Sequence, residues 1–176
     1  MLYKGLFPFQ VGPAQEGNKL GVVLLGGHKD PNETPLETAI REVYEEAAMN
    51  KTPIHSPITF YKASWDHRAI PVTLEEKTSP LLLKENLDLS LSVMYLAHSK
   101  NESSPSSETC GLLLLKPEEI CLLCKEKITL NDYIKQNGVA ILKRSINKGL
   151  VLEPFPHLKF LAKLLEDNPD LFRDLL

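Results

Sequence analysis

The sequence predicts one mixed α/β domain, and three observations carry that reading. Short apolar runs bounded by turn residues read as buried strands. Between and after them lie segments with helix caps or apolar residues at helical spacing. The length of 176 residues suits one domain, and a chain of that size buries about 70% of its unfolded surface, enough for a real core. With 43% hydrophobic and 24% charged residues, the composition is that of a globular protein.

Residues 20–25, Leu-Gly-Val-Val-Leu-Leu, form an apolar run that ends in Gly26-Gly27. This reads as a buried strand entering a tight turn. A helix start follows: Thr34 suits the N-cap, Pro35 the first helical position, and Glu37 completes a capping box. That helix is expected to run to about Met49, ahead of the prolines at 53 and 57. Residues 58–61 and 89–97 read as strands, 66–88 as a loop-rich excursion, and 99–107 as an exposed Ser-rich loop.

Residues 109–115 read as a fully buried strand. Pro117-Glu-Glu-Ile starts a short helix with acidic residues in its first turn. Residues 130–136 form a further helix closed by Asn137-Gly138. After Pro156, Leu158, Leu161, Leu164 and Leu165 recur at helical spacing, an amphipathic C-terminal helix packed on the body. There is no internal repeat and no linker, so the domain is expected to cover residues 1–176.

Charge and cysteine content exclude several classes. Lys plus Arg total 20 and Asp plus Glu 23, a net charge of −3, which argues against a nucleic-acid partner. No run of 18 apolar residues exists, so no membrane partner is expected. The N-terminus lacks the long apolar stretch of a secretory signal. Three cysteines (Cys110, Cys121, Cys124) cannot all pair within one chain, which points to a cytoplasmic setting. Cys121 and Cys124 have metal-ligand spacing without a second pair or a His cluster, and read as buried thiols on a helix. A homodimer is compatible with the sequence, which does not fix the oligomeric state.

The chemistry concentrates on one helix. At about 100° per residue, Leu36, Ile40, Val43 and Ala47 form a stripe that should face the core. Glu42, Glu45 and Glu46 share the opposite side, where spacings of three and four residues bring like charges together. Such a face is usually only solvated. Here Arg41 can neutralise one carboxylate, and the remainder is a hard-oxygen site suited to Mg²⁺ or Mn²⁺.

The segment from Gly27 to Met49 resembles the Nudix box, G-x5-E-x7-R-E-U-x-E-E-x-G-U with U a bulky aliphatic residue. Gly27, Glu33, Arg41, Glu42, Val43, Glu45, Glu46 and Met49 match with the spacing intact. The one departure is Ala48, which stands at the last glycine position, where a left-handed residue often ends a helix. The resemblance implies a mixed β-sheet sandwiched between α-helices. It also implies a metal-dependent hydrolase that cleaves a pyrophosphate linkage in a nucleoside diphosphate linked to another moiety X. By the same resemblance Glu42, Glu45 and Glu46 are metal ligands for Mg²⁺ or Mn²⁺, and Arg41 has an electrostatic role. Gly27 shapes the loop, and Glu33 is a supporting carboxylate.

Those roles make physical sense. A diphosphate would be repelled by three carboxylates unless divalent cations reverse the local sign and make a water more acidic. A further carboxylate must take that water's proton. Glu108, at the end of a polar loop, is the candidate base, whereas Glu118 and Glu119 are more simply helix N-terminal charges. Stacking candidates for a base are Phe60, Tyr61, Trp65 and Tyr95, with Lys62 or Arg68 for a phosphate and His28 near the motif. None of them selects a substrate. The alternative reading is a non-catalytic nucleotide-binding or interaction module on the same fold.

Overall fold

The structure, a computed structural model, describes residues 1–14, 17–106 and 109–172. Its frame is a mixed five-stranded sheet in the order β10-β9-β1-β2-β11. These strands are β1 (Phe7–Pro13), β2 (Lys19–Leu24), β9 (Gly111–Leu115), β10 (Val139–Leu142) and β11 (Val151–Pro154). All neighbours are antiparallel except β11, which runs parallel to β2. β1 is therefore the central strand, although two prolines and a glycine in Phe-Pro-Phe-Gln-Val-Gly-Pro hide it from propensity rules. β10 and β11 are likewise strands that local pattern does not reveal.

Alternation along these strands divides the core into two layers. Leu112 and Leu114 pack with Leu25, Val43, Ala47 and Met49 beneath helix α1 (Pro35–Ala47). Phe7, Phe9, Val11, Leu113 and Leu115 face the other way. There they meet Ile120 and Leu123 of helix α2 (Pro117–Lys125) and Leu158, Leu161 and Leu164 of helix α4 (Pro156–Asp167). Helices thus cover both faces of a mixed sheet, the expected α/β sandwich. A short helix α3 (Leu130–Lys135), capped by Thr129, follows α2.

Two smaller sheets complete the fold. One pairs β3 (Lys51–Ile54) with β8 (Leu96–Ser99). The other has the order β5-β4-β6-β7, built from β4 (Thr59–Lys62), β5 (Ile70–Val72), β6 (Leu82–Glu85) and β7 (Leu91–Met94). It packs on the α4 side, where the Phe60 ring meets Phe160 edge-on at 6.2 Å. Two sequence expectations are corrected here. Residues 66–88 are not a mere excursion, because β5 and β6 lie within them. Residues 89–97 are not one strand: Leu89 turns with φ 64°, and β7 and β8 belong to different sheets. In both places the partner strand, not the local composition, decides the conformation.

Helix α1 forms as expected at its start. The Thr34 side chain accepts from Glu37 N, and the Glu37 side chain accepts from Thr34 N, a complete capping box. Its end is Ala47, because Ala48 takes the left-handed conformation (φ 52°, ψ 31°) with its N–H on Tyr44 O. Its packing differs from the wheel. Ile40 is 37% exposed and Tyr44 58%, while Thr38, Val43 and Ala47 are buried. The buried arc is turned by roughly 60° toward the glutamate side, so Glu42 and Glu46 are tucked in rather than solvated. Among the described residues, no helix is long and apolar enough to cross a membrane.

Candidate functional site

Arg41 is the hub of the carboxylate cluster. It grips Glu33 with two nitrogens, Nε to Oε1 at 2.8 Å and a terminal nitrogen to Oε2 at 3.1 Å. Its other terminal nitrogen donates to Glu42 Oε1 at 2.8 Å and to Glu45 Oε2 at 2.9 Å. A last bond reaches His28 O at 3.0 Å, tying the loop before the helix to the helix itself. Only a planar guanidinium offers this many fixed donors. Glu33 also accepts from Thr38 Oγ1 and from Asp30 N. Bonded first of all to Arg41, the Glu33 carboxyl is held down at about 2, and Arg41 is raised in turn.

Glu46 is held separately and by neutral donors. Gly26 N donates to Oε2 at 2.8 Å, and Gln10 Nε2 on β1 donates to Oε1. Gly27 allows a close approach between the loop and α1. A Cβ built there would stand 2.4 Å from the Glu42 carboxylate, so only glycine lets the loop lie against that side chain.

The last turn of α1 is anchored by the segment that follows β8. Ser106 N and Thr109 Oγ1 both reach Glu46 O at 3.0 Å. Ser104 N binds Ala47 O at 2.8 Å, and Asn101 Nδ2 binds Ala48 O at 2.9 Å. These bonds satisfy carbonyls that a helix end leaves orphaned. The Ser-rich loop expected to be exposed is thus partly docked, with Ser103 and Pro105 buried. Glu108, the candidate base, lies outside the described residues.

The fold therefore brings together Gly27, Glu33, Arg41, Glu42, Glu45 and Glu46. Three of the candidate stacking residues, Phe60, Tyr61 and Trp65, have their partners elsewhere in the fold. Phe60 is core on the α4 side, and Trp65 packs edge-on against His157 of α4 at 4.7 Å. Tyr61 donates to Glu85 Oε2 at 2.5 Å, and Lys62 donates to His67 O. Glu118 and Glu119 sit in the first turn of α2, across the central sheet from α1, where Glu119 accepts from Lys116 N at 2.8 Å. Cys121 and Cys124 lie half-buried on α2 as free thiols, with burial raising both and taking Cys124 to about 11.

In kind, the carboxylate oxygens fit a hard divalent cation. As placed, they turn toward Arg41, Gln10 and Gly26. Among the described residues, no three His, Cys, Asp or Glu side chains stand so as to hold a metal ion. The residues that local reading misses are Gln10 and Asn101. Gln10 is the one amide in an otherwise apolar strand, a signal that has meaning only once β1 is known to be central and to face α1.

No family model matches the chain, and no curated protein matches it in sequence. Among solved structures, it is similar to the crystal structure of a hydrolase of the NUDIX family from Clostridium perfringens. That match has a TM-score of 0.48 and 20% identity, and covers 77% of this chain and 88% of that chain.

Proposed function

We propose that this protein is a metal-dependent hydrolase of a pyrophosphate linkage in a nucleoside diphosphate linked to another moiety X. What supports the reading is the assembly of the motif into one unit. Gly27 lies against Glu42, Arg41 binds Glu33, Glu42 and Glu45, and Gly26 N binds Glu46. A merely solvated acidic face has no reason to be built this way, with a glycine shaped around one carboxylate and an arginine bound to three.

In this reading Glu42, Glu45 and Glu46 would hold Mg²⁺ or Mn²⁺. The cation would supply charge reversal for the diphosphate and a more acidic water. Glu45, with its side chain 46% exposed, is the carboxylate best placed to leave Arg41 for a cation. Arg41 keeps Glu33 and the 28–33 loop in place through His28 O and Glu33. Glu108 is the candidate acceptor of the water's proton, and its flanks at Ser106 and Thr109 are bonded to the Glu46 carbonyl.

One observation favours a second reading, the non-catalytic nucleotide-binding or interaction module. Arg41 already bonds three of the four carboxylates, and a guanidinium can stand in permanently for a cation. The deciding experiment is a metal-supplemented screen of nucleoside diphosphate sugars, dinucleoside polyphosphates, NADH, ADP-ribose and nucleoside triphosphates. Turnover that disappears with a chelator and returns with Mg²⁺ or Mn²⁺ is the expected result. Negligible, equal rates across the panel would leave the binding module.

A further inference from the structure

We infer that Gln10 is a positioning residue that fixes Glu46 for cation binding, an inference that rests on the hydrolase reading above. Gln10 sits on the central strand β1, paired with Val23 on one side and Leu112 on the other. Its backbone is thus held by ladders on both edges. On this face of the sheet its neighbours are apolar: Leu112 and Leu114 are buried with Val43 and Ala47 of α1. A primary amide among such groups is costly unless its donors are used. Gln10 uses one on a carboxylate 36 residues away, and the bond to a charged acceptor is about twice as strong as a neutral one.

Two donors from two elements hold the two oxygens of Glu46, Gln10 Nε2 on Oε1 and Gly26 N on Oε2. Together they set the plane of the carboxylate. Among the described residues, Glu42 and Glu45 accept instead from one shared and charged group, the Arg41 guanidinium. Glu46 is therefore the member of the set oriented at both oxygens by neutral donors, which carry no positive charge to compete with a cation. A side chain that orients a ligand from behind typically changes metal affinity or activity by about 10–100-fold when removed.

The test compares Gln10→Met, which keeps length and removes the donor, with Gln10→Glu, which keeps shape and turns the donor into a repelling acceptor. Mn²⁺ affinity is read by the free-Mn²⁺ paramagnetic signal, alongside kcat, KM and the cation-free thermal midpoint. Both variants should weaken Mn²⁺ by about ten-fold or more and lower kcat, with KM within about two-fold. In a Glu46→Gln background, Gln10→Met should change the residual Mn²⁺ affinity by less than about two-fold, because its effect passes through Glu46. Equal losses in both backgrounds would make Gln10 a packing residue and overturn the inference. So would native Mn²⁺ affinity in Gln10→Met while Glu46→Gln loses it, an outcome that spares the hydrolase reading. Native Mn²⁺ affinity in Glu46→Gln itself would instead remove Glu46 as a ligand, and Gln10's role with it.

Discussion

The Glu42 carboxylate occupies the space that any side chain at Gly27 would need, 2.4 Å from where its Cβ would stand. The atoms that must yield are the far end of a flexible side chain, not backbone. Gly27→Ala should therefore cost only about 1 kcal/mol of stability. It should nonetheless displace Glu42 from Arg41 and reduce cation-dependent turnover at least about ten-fold, which is only 1.4 kcal/mol of transition-state stabilisation. Thermal midpoint and rate measured on the same preparation check the split. A variant with native turnover would show that this packing has no part in the chemistry.

Glu45 and Glu46 should separate in stability while agreeing in function. If both are cation ligands, Glu45→Gln and Glu46→Gln each lower turnover by orders of magnitude. Glu45 is half-exposed on a like-charged face, so its substitution should leave the cation-free midpoint nearly unchanged. Glu46 accepts from two donors, and an amide there must turn its –NH₂ toward one of them. Glu46→Gln should accordingly cost about 1 kcal/mol even without cation. Near-native rates in either variant would remove that residue from the ligand set.

Acid stability should carry the mark of Arg41. Glu33 is held at about 2 in the fold, below its ordinary value of 4.5, chiefly by its bonds to Arg41. A carboxyl depressed on folding contributes stability that is fully present above its unfolded value and is lost as pH falls through the folded one. Arg41→Gln should thus lower the thermal midpoint most above pH 4.5, and the two midpoint curves should converge as pH approaches 2. Parallel curves over that range would show that the Arg41–Glu33 pair is not the source.

Ala48 holds a left-handed conformation at φ 52°, where a Cβ is disfavoured and glycine is not. Ala48→Gly should stabilise the protein by about 0.5–1 kcal/mol, raising the midpoint by about 1–4 °C. Asn101 Nδ2 on the Ala48 carbonyl holds the residue there in the native chain. A lower midpoint in the variant would mean that this conformation is not the resting one.

The cysteines should be dispensable. Burial first, then the neighbouring Cys121, raise Cys124 to about 11, so little thiolate exists near neutral pH. Alkylation of Cys124 should be slow at pH 8 and accelerate only as pH climbs toward 11. Replacing Cys121 and Cys124 with Ala should cost about 1–2 kcal/mol through lost packing and leave metal-dependent turnover in place. Stoichiometric zinc that disappears with the pair, together with activity, would contradict this.

What the sequence determined by itself is what depends on neighbours three or four residues apart. The Thr34–Glu37 capping box of α1, the short helix α3 ahead of Asn137-Gly138 and the leucine stripe of α4 are all written locally and all form. The spacing from Gly27 to Met49 is local too, so the residues of the carboxylate cluster could be named from it. The tertiary structure alone decided which strand is central, why residues 70–72 and 82–85 are strands at all, and how α1 turns about its axis. Those outcomes depend on β pairing and on burial against chain segments far away in sequence, which no short window contains. The same holds for the partners of each glutamate. Arg41 reaches eight positions back to Glu33, a link within the motif's own span. Gln10 comes 36 positions back to Glu46, and only the placement of β1 beneath α1 makes them neighbours.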